Sequence, residues 1–68
     1  MDGSELMSYG VYIRNPDLWD QKHTTGVSKK EAQNIASDWN RRRGFKERVK
    51  RKDATDGQAY VHEGELRE

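Results

Sequence analysis

Residues 28–44 specify a helix from both ends, and this constrains the chain more than any other feature. In Ser28-Lys29-Lys30-Glu31 the serine and the acid stand at capping-box spacing. The Ser28 hydroxyl accepts from the amide of Glu31, and the Glu31 carboxylate reaches back to the amide of Ser28. Val27 before the cap and Ala32 after it form a hydrophobic staple. Ala32, Ile35, Ala36 and Trp39 then recur at i, i+3, i+4 and i+7, which lays one apolar stripe along a helix. Arg41, Arg42 and Arg43 fall in the last turn, where cations complement the negative end of the helix dipole. Gly44 supplies the left-handed residue that stops the helix, and Phe45 follows to pack back on it.

On either side the period changes from 3.6 to 2. In Ser8–Arg14, Tyr9, Val11 and Ile13 fall on one face and Ser8, Gly10, Tyr12 and Arg14 on the other, the alternation of a half-buried strand. Asn15-Pro16-Asp17 ends it as a turn. Residues 18–25 read as a returning strand with Trp19, Gln21 and His23 on one side, or as a helical turn capped by Asn15 and followed by loop. A structureless loop of that length is rare in so small a domain, which favours the strand. After Gly44, Phe45, Glu47, Val49 and Arg51 alternate with Lys46, Arg48, Lys50 and Lys52, a further strand pattern. Asp53–Gly57 turns, and Gln58–His62 returns. The expected architecture is a two-layer α+β domain: one helix on a three- to four-stranded, mostly antiparallel sheet, in order β-β-α-β-β, or β-α-β-β if residues 18–25 stay irregular.

The chain has 68 residues, of which 31% are hydrophobic and 37% charged, so it holds one domain with a small core. A domain of this size buries only roughly 60% of the surface that its unfolded chain exposes. Six large aromatic side chains, Tyr9, Tyr12, Trp19, Trp39, Phe45 and Tyr60, supply the area that keeps the chain out of the disordered class. Residues 1–7 are expected to form a flexible tail, 8–63 the domain and 64–68 an acidic tail. There is no cysteine, which removes disulfides and thiolate metal sites. The acidic start lacks the apolar stretch of a secretion signal, and no window is apolar enough to span a bilayer. The expectation is a cytoplasmic protein without a membrane partner.

Charge is sorted along the chain although the net charge is only +1. From Lys29 to Lys52 ten Lys/Arg face three Asp/Glu, a local +7, while both flanking segments are acidic. If Phe45 and Val49 point to the helix, alternation sends Lys46, Arg48, Lys50 and Lys52 to the other face, beside Tyr12, Arg14, Tyr60 and His62. Cations interleaved with tyrosines are what a single-strand nucleic-acid platform uses, with charge tracking phosphate and rings stacking on bases. The expected nucleic-acid contacts are therefore Arg41, Arg42, Arg43, Lys46, Arg48, Lys50 and Lys52, with Tyr12 and Tyr60 for stacking. A plainer account also fits: one solvated sheet face, stabilised by cross-strand Tyr–Lys pairs and protected at its edges by lysine.

The alternative function is a protein-interaction module, a small inhibitor or adaptor that docks an acidic partner or self-associates. Its marker is Trp19, with Leu18, exposed beside a basic rim. In a chain so short of apolar residues, burial of Trp19 is the expectation. Thr24-Thr25-Gly26-Val27-Ser28-Lys29-Lys30 resembles a phosphate-binding helix start only in composition, and capping accounts for it. His23 and His62 have no nucleophile at a recognisable spacing, so no catalytic residue, metal ligand or cofactor is assigned, and a non-enzymatic role is expected.

Overall fold

A computed structural model of the protein describes residues 9–64, so Ser8 and the expected tails, apart from Gly64, lie outside the described residues. Three antiparallel strands, β1 (Tyr9–Ile13), β2 (Gln21–Val27) and β3 (Ala59–Glu63), form a sheet in the order β2-β1-β3. One helix, α1 (Lys29–Arg42), packs on one face, giving a small α+β domain in chain order β-β-α-β. The returning strand expected over residues 18–25 is formed, but over Gln21–Val27.

The helix forms as its ends dictate. The Ser28 hydroxyl accepts from the Glu31 amide at 3.1 Å, while the reciprocal bond from the Glu31 side chain is not formed among the described residues. At the other end the Phe45 amide donates to the Asn40 carbonyl (2.8 Å) and the Gly44 amide to that of Arg41 (3.2 Å). Gly44 has a φ of +79°, so this pair of bonds is a Schellman motif. The stripe Ala32 and Ala36 meets Val11, Ile13 and Ala59 in the core, with Tyr9, Val27, Ile35, Trp39 and Val61 around it. Gly10 lets β2 come close: a Cβ there would stand 3.0 Å from the Thr24 carbonyl oxygen, beside the two register shifts of the β1–β2 ladder.

The strand expected over Phe45–Lys52 is not formed, and the reason lies in two side-chain amides. Asn40 continues the buried stripe one turn beyond Ala36 and is fully buried. Its Oδ1 accepts from the Ala59 amide (2.8 Å), and its Nδ2 donates to the carbonyls of Ala59 and Glu47 (both 3.0 Å). The side chain therefore stands where a fourth strand would pair with β3. Gln58, also buried, donates to the Lys46 carbonyl at 2.8 Å and accepts from the Thr55 amide at 3.0 Å. With the carbonyls of Lys46 and Glu47 both turned to these amides, residues 45–50 run irregularly into a short 3-10 turn at Arg51–Asp53. Phe45 lies against Gly57, and neither Phe45 nor Val49 joins the core cluster under the helix.

Truncating Asn40 would leave the buried amide and carbonyl of Ala59 and the part-buried carbonyl of Glu47 without partners. Asn40→Ala is expected to lower the unfolding free energy by about 3 kcal/mol, read as a drop in the urea midpoint. A midpoint unchanged from the parent would remove this amide from its central place.

Candidate functional site

The expected sheet-face platform divides into parts that the fold keeps separate. Tyr12 and Tyr60 do share the face opposite the helix, directly paired across β1 and β3, with ring centroids 6.0 Å apart and an interplanar angle of 22°. His62 sets its ring edge-on to Tyr12 at 6.0 Å. Both tyrosines are buried, however, at 2% and 1% exposure, so neither offers an open ring to a base. The rings stack on each other, and the loop between β1 and β2 closes over Tyr60.

That loop is tightly tied. The Tyr60 hydroxyl donates to Asp20 Oδ2, and Asp20 Oδ1 accepts from the Asn15 amide at 2.9 Å. Arg14 lies 3.6 Å from Asp20 Oδ2. The Asn15 side chain accepts from the Asp17 amide (3.2 Å), and the Leu18 amide donates to the Asn15 carbonyl (3.3 Å). Burial, then the hydrogen bond to Asp20 and its negative charge, push the Tyr60 phenol well above its ordinary value of 10.0. For Asp20 burial works upward. The Tyr60 hydroxyl, the Asn15 amide and the charges of Arg14 and Arg51 outweigh it and hold the carboxyl below 3.8.

The result of this bracing is an apolar tip that the core does not use. Leu18 is 76% exposed and Trp19 68%, so the expected burial of Trp19 is corrected. The hydrogen bonds of Asn15 and Asp20 hold the turn ahead of β2, and Trp19 lies outside the strand that would have carried it inward. Trp19, Leu18, Arg14 and Arg51 line one hollow of about 180 Å³.

The arginine run at the end of α1 is engaged within the chain. Arg41 and Arg42 both reach Asp38, at 2.7 and 3.1 Å. The Arg43 guanidinium lies over the Trp39 ring, 3.4 Å from its centroid. The indole N–H of Trp39 donates to the Gly57 carbonyl at 3.0 Å, and His23 meets the ring edge-on at 5.3 Å. These contacts brace the helix end against the turn before β3.

Lys46, Arg48, Lys50 and Lys52 behave differently. All four are exposed, and none makes an ion pair among the described residues. They line one open concavity of about 970 Å³, whose walls include Phe45 and Val49 and a single carboxylate, Asp53. Arg51 does not line that concavity: it lines a second hollow of about 200 Å³ with Glu47, Arg48 and Lys50, acts on the Asp20–Tyr60 pair, and also borders Trp19. Alternation had set Arg51 apart from its neighbours, but the run Lys50-Arg51-Lys52 already marked it as part of the cationic segment.

His23 and His62 lie apart, and no group of three His, Cys, Asp or Glu that could hold a metal ion occurs among the described residues. No helix among them is long and apolar enough to cross a membrane. No family model, characterised protein or solved structure matches the chain.

The Tyr60–Asp20 pair gives stability a pH dependence at each end. The folded state keeps the Tyr60 proton where the unfolded chain releases it, so this contribution is full below pH 10 and is lost as pH rises past it. The Asp20 contribution is present above pH 3.8 and is lost as pH falls through the lower folded-state value. Tyr60→Phe is expected to flatten the alkaline limb of a urea-midpoint profile taken above roughly pH 9. An alkaline limb as steep as the parent's would show that the pair does not act this way.

Proposed function

We propose that this protein is a small, non-enzymatic binding module that takes a nucleic acid through the cationic segment Lys46–Lys52. The observation that carries the reading is the set Lys46, Arg48, Lys50 and Lys52: exposed, without carboxylate partners among the described residues, and gathered around one concavity. Clustered cations that outnumber the acids beside them, Glu47 and Asp53, set up the field that attracts a phosphate backbone. An irregular segment suits this task, because phosphate contact needs charge within reach and not the regular spacing of a strand. Arg41, Arg42 and Arg43 extend the same field, although Asp38 offsets part of it and Arg43 is committed to Trp39. Stacking by Tyr12 and Tyr60 is not part of the proposal, because both are buried.

A second reading has one observation in its favour. Leu18 and Trp19 stand exposed beside Arg14 and Arg51, the marker of a protein-interaction module with an acidic partner.

Titrating a labelled oligonucleotide at two salt concentrations tests the main proposal. With four phosphate contacts, affinity is expected to fall roughly tenfold when salt is doubled, because binding releases condensed counterions. Replacing Lys46, Arg48, Lys50 and Lys52 together by Ala should abolish binding and leave the urea midpoint unchanged. Replacing Arg41 and Arg42 should weaken it less, since Asp38 already neutralises part of their charge. Affinity independent of salt, or no binding at low salt, overturns the reading.

A further inference from the structure

We propose that Trp19 is a base-stacking position at the end of the cationic segment, and that the ligand is therefore a single-stranded nucleic acid. This rests on the nucleic-acid reading and goes further, because it names the strand state and assigns a residue outside the basic run.

Trp19 leaves 68% of its surface in solvent in a chain with few apolar residues to spare for its core. Its loop is nonetheless ordered by a chain of bonds: Asn15 to Asp17, Leu18 to Asn15, Asn15 to Asp20, and Asp20 to Tyr60 on β3. A loop braced in advance loses less conformational freedom when its exposed ring meets a ligand, which lowers the cost of binding. Stacking a base on such a ring is sequence-tolerant, because every base has a π face.

Arg51 joins the ring to the cations. It shares one hollow with Trp19, Arg14 and Asp20 and another with Arg48, Lys50 and Glu47, so cationic side chains outnumber acids in both hollows between the concavity and the indole. Both oxygens of Asp20 are already occupied within the fold, and the exposed carboxylate of Asp17 disfavours phosphate on the loop itself. A strand is thus placed with phosphates along Arg48, Lys50 and Arg51 and a base turned onto Trp19. A duplex keeps its bases stacked on one another and has none to offer. The exposed apolar area favours this occupant over a protein. Leu18 and Trp19 are two side chains, far short of the roughly 800 Å² that each partner buries in a stable protein interface, whereas one base needs one ring face.

The test compares three labelled ten-residue probes at one low salt concentration: a single-stranded oligothymidylate, a duplex of the same length, and a single strand of abasic residues with the same charge. The parent is expected to bind the oligothymidylate most tightly, with quenching of tryptophan emission. Trp19→Ala should weaken that probe by about tenfold, remove the quenching and leave the salt dependence unchanged. Trp19→Phe should restore most of the affinity, and neither variant should alter binding of the abasic probe or the urea midpoint. Salt-dependent binding that is equal for all three probes, and equal in parent and Trp19→Ala, overturns the stacking position and leaves the cationic segment standing. Failure of all three probes to bind overturns both readings. Binding of polyglutamate in place of every nucleic-acid probe, lost in Trp19→Ala, overturns both in favour of the protein-interaction module.

Discussion

The fold turns on the pairing of one side chain with one backbone residue. The Asn40 amide presents a donor and an acceptor to Ala59 in the way that a neighbouring strand would, and gives its second donor hydrogen to Glu47. A buried backbone amide and carbonyl must find partners, and here a helix supplies them. Three consequences follow from that single contact. The end of α1 is locked to the start of β3, the sheet stops at three strands, and the segment after Gly44 is held as an irregular arm. Gln58 adds the second fixing point through the Lys46 carbonyl, so the arm is anchored by its backbone while its long cationic side chains stay outside.

Much of the fold is legible in the sequence because its signals are local. Ser28 and Gly44 bound the helix through groups within a turn of themselves, and Val11, Ile13, Ala32, Ala36 and Ala59 reach the core that their periods predict. Residues 45–52 show where such signals fail. Phe45 and Val49 alternate with cations as a strand would, yet the partners that decide the segment's shape are amides at positions 40 and 58. Asn40 could have been noticed as a polar residue at the next place on the Ala32–Ala36 stripe. Period alone does not reveal which carbonyls it would bond.

The site was legible in part for the same reason. Strand alternation is the ground on which Lys46, Arg48, Lys50 and Lys52 are expected to share a surface; the strand is not formed, yet all four are exposed around one concavity. Placement of the aromatics depends on contacts distant in sequence. Tyr12 and Tyr60 lie on the expected face but cover each other, and the Asp20–Tyr60 bond spans forty positions. That bond braces the loop from which Leu18 and Trp19 project. Apolar scarcity argued for an inward Trp19, and hydrogen bonding around Asn15 and Asp20 set it outward instead.

A three-stranded sheet has two outer margins, and each is an invitation for another molecule to continue the ladder. Along β2 the two register shifts spoil the even spacing that an incoming strand would have to match. Along β3 the first rung is already plugged by asparagine, and the last residue, Glu63, carries an exposed charge. The same devices that fix the arm and the bulged strand thereby guard a small, highly charged protein against templating its own fibrils.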